Sequence, residues 1–253
     1  MPHLTHRVVF LLGTTSDGDV TQLVRAEAER DGDIVQGDFL DTYHNLTLKA
    51  VMGFRWLAEF CPRVSFVVKV DDDVLLHVYQ VVTRLMPMLN KPHTIGCFVN
   101  YKNKSKILRD KTEKWRVNDS DFSGLEYYPF DYCSGYFVLM TGDLIQPMVD
   151  AARVVPFFWI DDVYVYGLLP HLIGDVRFLH LFGLSVSYED AQPCFTQFGK
   201  KCVYTVVNNK NSSVDMTLMR QLWTRMNVEV PQSDIDRRRP AVANWRRRIR
   251  IGQ

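Results

Sequence analysis

A chain of 253 residues, 47% hydrophobic and 23% charged, holds enough apolar material for one large domain or two small ones, and too much for intrinsic disorder. The net charge is +1, and seven arginines from Arg237 to Arg250, with no acid among them, leave about −6 for the remainder, so a globally basic nucleic-acid binder is not indicated. None of the five cysteines forms a C-x-x-C pair, which argues against a zinc ribbon, and no run in the sequence as given reads as a signal peptide or membrane helix.

In chain order, residues 7–12 read as a buried strand closed by Gly13, with a polar loop over 14–19. A helix starts at Asp19 or Thr21 and runs to Arg30, where Asp31-Gly32 ends it. A weak strand follows over 33–36. From about 42 to 60, apolar residues at 46, 50, 54, 57 and 60 fall on one helical face. Residues 77–89 predict another amphipathic helix, with Val78, Val81, Val82 and Leu85 inward and Pro87 near its end. A strand is expected over 94–99. Residues 100–120, carrying Lys102, Lys104, Lys106, Lys111 and Lys114, read as a surface loop or lid.

An aromatic cluster from Tyr127 to Tyr132 precedes Cys133-Ser134-Gly135 and a strand over 136–140, and Thr141 is placed to N-cap a helix through Ala152. An apolar run at 157–160 leads into Asp161-Asp162 and a helix from about 163 towards 172. Beyond Gly174 the chain reads as irregular, save for a helix around 214–226, and residues 231–253 read as a mobile Arg-rich tail. Alternating strands and helices mean an α/β fold, with one domain over 1–230 and no internal repeat.

The stretch from Val64 to Val74 organises the rest. Bounded by Pro62 and rich in Val, it predicts a strand buried on both faces in the middle of a sheet, and ligands of α/β sheets bind beyond the carboxyl ends of strands. This one ends on Asp71-Asp72-Asp73. Three adjacent carboxylates repel one another, and a hard divalent cation such as Mn²⁺ or Mg²⁺ would relieve them while bridging to phosphate oxygens. In extended backbone Asp71 and Asp73 point one way and Asp72 the other. No twelve-residue acidic loop with a central Gly follows, so this is not an EF-hand. A solvated acidic turn is the plainer alternative.

Asp161-Asp162 is the second acidic feature. Capping of the following helix would account for one of the two acids and leave the other to face a cleft. A metal–diphosphate site at Asp71 and Asp73, with a separate carboxylate to take a proton from an attacking hydroxyl, is what an inverting sugar transfer needs. Tyr128, Tyr132 and Trp159 would suit the apolar face of a sugar, and each is equally a normal core residue. Cys194 and Cys202 flank a short polar loop and are placed to pair. Sequons occur at Asn45, Asn103, Asn118 and Asn211.

Several pieces, in this order, resemble glycosyltransferase family 31, the β-1,3-galactosyltransferase and β-1,3-N-acetylglucosaminyltransferase group. They are Phe10-Leu11-Leu12-Gly13; Gly32-Asp33-Ile34 with the run from Asp38 to Lys49; Trp56 with Cys61; Lys69 to Val74; Tyr128-Pro129 through Tyr136; and Asp161-Asp162-Val163-Tyr164-Val165 with Gly167. The resemblance spans residue 8 to about 225. It implies a GT-A fold with a mostly parallel mixed central sheet flanked by helices, a UDP-sugar donor, and Mn²⁺ or Mg²⁺. It also implies inverting β-1,3 transfer of galactose or N-acetylglucosamine to a glycan on a glycoprotein or glycolipid, with no nucleic-acid partner. Carried over by position, Asp73 is the principal metal ligand, Asp71 lies at the metal or ribose, and Asp72 lies on the nucleotide side. Asp162 is the general base, and Asp161 stands where the family usually has Glu. Gly13, Asp41 and Lys49 belong to the nucleotide pocket. Asn45 lies in the family's helix and is expected to be structural, leaving Asn103, Asn118 and Asn211 as glycan sites.

Members of this family are type II membrane proteins of the Golgi lumen, with an N-terminal anchor, a stem and an Arg-containing motif before the first strand. Those features do not precede residue 7 here, which reads as a truncated N-terminus. A His commonly follows the last Cys and completes the metal site. Here residues 203–213 contain none, and His180 is an outlying candidate. The alternative reading is an inactive relative that serves as a lumenal binding or scaffold protein. A polyanion binder working through the Arg tail is a third, and nothing in the body of the chain supports it.

Overall fold

The computed structural model describes residues 5–208 and 216–229. The Arg-rich stretch and Asn211 lie outside the described residues. In chain order the elements are β1 (Phe10–Thr14), α1 (Gly18–Asp31), β2 (Ile34–Leu40), α2 (Leu46–Phe60), β3 (Phe66–Val70), β4 (Val74–Leu76), α3 (Val78–Gln80), β5 (Thr94–Asn100), β6 (Tyr132–Thr141), α4 (Ile145–Ala151), α5 (Asp161–Val163), α6 (Leu169–Ile173), β7 (Arg177–His180), β8 (Ser185–Ser187), α7 (Tyr188–Phe198), β9 (Val206–Asn208) and α8 (Met216–Met226). The α/β expectation holds. No described helix is long and apolar enough to cross a membrane.

Two compact units interleave along the chain. The first takes the described parts of Met1–Ser65, Asn100–Cys133 and Gly142–Val176; the second takes those of Phe66–Val99, Ser134–Thr141 and Arg177–Gln253.

In the first unit β1 and β2 pair in parallel through α1, with a register shift between Leu12 and Thr14, at Gly13. The Asp17 carboxylate accepts the Asp19 and Val20 N–H groups and starts α1, and Gly32, at φ 65°, ends it. The first strand is shifted from the expected 7–12 and less buried: Phe10 is exposed, and Leu11 and Leu12 are half-buried. The weak strand extends through Leu40, because parallel pairing with β1 supplies what its own residues lack. Helix α2 packs on β1, β2 and α4. A Cβ on Gly53 would stand 2.7 Å from Leu11 Cδ1, so α2 meets the Leu11 side chain of β1 at this glycine. The Asn45 amide donates to the Leu40 carbonyl at 2.8 Å, and Thr47, fully buried, donates its hydroxyl to the Phe158 carbonyl at 2.9 Å. Asn45 thus stands just before α2 rather than within it.

The second unit holds a four-stranded sheet in the order β3-β6-β5-β7 and a three-stranded sheet in the order β4-β9-β8. Strand β3 runs antiparallel to β6, and β5 parallel to β7. The run from Val64 to Val74 is therefore not one central strand. It splits into β3, at the edge of one sheet, and β4, in the other, with the acidic turn between them. The strand buried on both sides is β6, where Val138, Leu139 and Met140 are inaccessible.

Val81, Leu85 and Leu89 pack with Phe137, Leu139 and Val206. Val78 is exposed rather than inward, and the expected helix is a short turn followed by a π-helical turn at Val81–Leu85. The Thr141 hydroxyl accepts the Thr94 N–H instead of capping α4. Residues after Gly174 are far from irregular, forming β7, β8, α7 and β9 before α8. The Cys194–Cys202 disulfide ties α7 to the turn after it, and Cys61 is a free thiol.

Candidate active site

Gly13, Asp41 and Lys49 meet in the first unit. The Gly13 N–H donates to Asp41 Oδ2 at 2.8 Å, and Lys49 Nζ lies 2.7 Å from Asp41 Oδ1. Burial pushes the Asp41 carboxyl up, but the Lys49 and Gly13 hydrogen bonds and the Lys49 charge outweigh it and hold the group below its ordinary value. A Cβ on residue 13 would stand 2.5 Å from the Phe39 carbonyl oxygen, so only glycine fits the shifted register there. The three residues brace the carboxyl end of β1 against the loop after β2. Both Asp41 oxygens already have protein partners.

Asp71, Asp72 and Asp73 occupy the turn between β3 and β4 in the second unit. The turn is closed by the Asp71 N–H donating to the Tyr136 carbonyl at 3.0 Å, and by the Val74 N–H reaching the Asp71 carbonyl at 3.2 Å. Asp71 and Asp73 are half-buried and Asp72 is exposed, which follows the expected alternation. Lys69 Nζ reaches both Asp71 Oδ1 and the Gly135 carbonyl. Burial first, then the Asp71 and Asp72 charges, push the Asp73 carboxyl above its ordinary value.

Tyr188, the first residue of α7 and fully buried, donates its hydroxyl to the Asp73 carbonyl at 2.9 Å. Sequence reasoning missed it. The available signal was Ser187-x-x-Asp190, a capping pattern in which the Ser187 hydroxyl accepts the Asp190 N–H and starts α7.

No group of three or more described His, Cys, Asp or Glu side chains is arranged to hold a metal. Asp71 and Asp73 fit a hard cation in a different way. Mg²⁺-like ions take one or two carboxylates and fill the remaining positions with water and substrate phosphate, and the half-buried Asp71 and Asp73 carboxylates are a donor set of that kind. His180 lies between the rings of Phe98, at 4.9 Å, and Phe182, at 5.7 Å, and burial lowers its pKa.

Asp161 and Asp162 open the helical run of α5, a π-helical turn at Tyr164–Leu168, and α6, in the first unit. Neither is the N-cap: Ile160 is, and it makes no side-chain cap. The segment is fixed from two sides. Thr47 holds the Phe158 carbonyl, and glycine at 167 lets the helical run approach Phe130 and Tyr132, since a Cβ there would stand 2.8 Å from Phe130 Cε2 and 2.9 Å from Tyr132 Cβ. Asp162 is close enough to Tyr132 that, after burial, its charge helps push the phenol up. Tyr128 is core, whereas Tyr132 and Trp159 are half-buried.

The galactosyltransferase family model matches residues 3–176. Human beta-1,3-galactosyltransferase 5 is 38% identical over 175 residues, 69% of this chain and 55% of that protein. Mouse beta-1,3-galactosyltransferase 1 is 32% identical over 166 residues, 66% of this chain and 50% of that protein. The chain thus spans about half the length of these curated relatives. The solved structure of a glycosyltransferase involved in glycosylation of the major capsid of PBCV-1 aligns with 87% of this chain and 100% of that one, at a TM-score of 0.43 and 11% identity, a likeness too distant to carry an argument.

Proposed function

The chain belongs to the galactosyltransferase family, and from that membership we propose that it carries the catalytic part of an inverting hexosyltransferase. The reaction moves a hexose from a UDP-sugar to an acceptor glycan in β-1,3 linkage. Galactose is the sugar that the relatives' names favour, and N-acetylglucosamine the alternative that the family resemblance leaves open. The observation that carries this reading is the turn between β3 and β4, where two half-buried carboxylates stand two residues apart and Asp73 is held above its ordinary pKa. Asp71 and Asp73 would hold Mn²⁺ or Mg²⁺, which when bound offsets the charge on the departing diphosphate. Lys69 keeps Asp71 in place.

Asp162 is proposed as the base. The acceptor hydroxyl oxygen bonds to the anomeric carbon, the bond from that carbon to the UDP oxygen breaks with its electron pair going to UDP, and the hydroxyl proton passes to the Asp162 carboxylate. Asp161 shares this first helical turn and is proposed to orient the acceptor. Gly13, Asp41 and Lys49 are proposed to shape the nucleotide side by fixing the loop after β2. The Golgi lumen and an N-terminal membrane anchor, as the family resemblance implies, complete the reading.

The test is calorimetric titration of UDP into the chain with and without Mn²⁺, followed by an assay of UDP-galactose hydrolysis. Metal-dependent binding and hydrolysis, both lost in Asp73→Ala, are expected. No UDP binding under either condition would overturn the reading.

A further inference from the structure

Three separate stretches of the first unit bring aromatic rings to one exposed place. Tyr43 and His44 come from the turn before α2, Trp115 from the Lys-rich loop, and Trp159 from the segment just before Asp161. The His44 and Trp159 ring centroids are 4.4 Å apart, and those of Tyr43 and Trp159 are 6.4 Å apart. The Trp115 indole N–H donates to the Tyr43 hydroxyl at 2.7 Å. Lys114 Nζ lies 4.2 Å from the Tyr43 ring centroid and 5.3 Å from that of Trp115.

Tyr43 and Trp115 are 42% and 47% exposed, so burial does not account for the arrangement. Single exposed aromatics are ordinary, but rings from three distant stretches that are tied together by a hydrogen bond and a cation are not scattered exposure. Holding the rings in place without burying them removes the entropy cost a ligand would otherwise meet.

A pyranose ring has a flat face of C–H groups and a rim of hydroxyls. The C–H face suits the electron-rich face of an aromatic ring, and the rim suits an ammonium with three donors. We propose that Tyr43, Trp115 and Trp159 form the platform on which the terminal pyranose of the acceptor glycan stacks, with Lys114 donating to its hydroxyls. The assignment rests on the transfer reading above and gives it an acceptor side. Trp159 is two residues from Asp161 and three from Asp162, so a sugar held on its ring lies near the proposed base along the same backbone segment. The loop over 100–120 then takes part in choosing the acceptor, through Lys114 and Trp115.

The experiment uses UDP-galactose and Mn²⁺ with the methyl β-glycosides of N-acetylglucosamine and galactose as acceptors. Trp115→Ala should raise acceptor KM by about tenfold or more while leaving donor KM unchanged. Trp115→Phe, which keeps a ring but loses the indole N–H, should fall between. Titration of tryptophan emission with the same glycosides gives a readout that needs no transfer: the wild-type signal should respond, and Trp115→Ala should weaken the response. An unchanged acceptor KM together with a silent wild-type titration would overturn the platform. So would a raised donor KM in Trp115→Ala, which would place the cluster on the nucleotide side. Sugar binding by the wild type without transfer from UDP-galactose or UDP-N-acetylglucosamine would support the platform and remove the transfer reading instead.

Discussion

The Tyr188 hydroxyl donates to the backbone carbonyl of Asp73 at 2.9 Å, across 115 residues of sequence. The bond ties the acidic turn to the start of α7, which lies beyond residues 3–176 matched to the family. It acts on the backbone carbonyl of Asp73 and not on its carboxylate.

Tyr188→Phe removes the donor and leaves the ring in place. A destabilisation of about 1–2 kcal/mol is expected from the unpaired carbonyl, measured by urea denaturation. Mn²⁺-dependent UDP affinity should fall in the same variant, because the turn loses its anchor. Unchanged UDP affinity would separate Tyr188 from the proposed metal site.

Asp73 sets a pH dependence. Its pKa in the folded chain is raised, so the folded state binds this proton more tightly than the unfolded state does. The associated stability is present below the ordinary carboxylate range and is lost as pH rises through the raised value. Binding of the proposed metal would run the other way, since Mn²⁺ needs the ionised form, so Mn²⁺ affinity should weaken as pH falls through that value. Asp73→Asn should therefore be at least as stable as wild type at neutral pH without metal, yet bind no Mn²⁺. Thermal melts with and without Mn²⁺ read both effects.

Asp162→Asn should lower turnover by about two to four orders of magnitude while UDP binding stays close to wild type. Steady-state transfer kinetics and UDP titration report the two halves. Loss of UDP binding together with turnover would give Asp162 a role in holding the donor or the fold.

Gly13→Ala places a methyl group 2.5 Å from the Phe39 carbonyl oxygen and 2.9 Å from the Asp41 nitrogen. Both are backbone atoms and neither can rotate away. A loss of about 1–3 kcal/mol is expected on denaturation, because the register shift between β1 and β2 depends on that close approach.

The helices of the first unit were legible because their signals are local. Asp17 and Gly32 bracket α1, and the apolar spacing from 46 to 60 marks α2. The acidic turn at Asp71–Asp73 and the acidic helix start at Asp161-Asp162 were legible because each follows an apolar run directly. What could not be read was long-range. The valines before Asp71 look the same in a central strand and in the edge strand that β3 is, since only the neighbouring strand distinguishes them. Strands β8 and β9 are three residues each and exist through their pairing with one another, Ser185 opposite Val206, which leaves no periodicity to detect. The tie between Trp115 and Tyr43 joins residues 72 apart and has no signature in either stretch.

The interleaving of the two units has a consequence for synthesis. The first unit draws on residues as late as Val176, and the second unit's first strand has been made long before then. A growing chain on the ribosome therefore cannot complete either unit early and set it aside. The first unit waits for residues up to Val176 and the second for residues after it, with the edges of β3 and β5 unpaired in the meantime, and a chaperone that shields strand edges during that interval would raise the yield of folded protein.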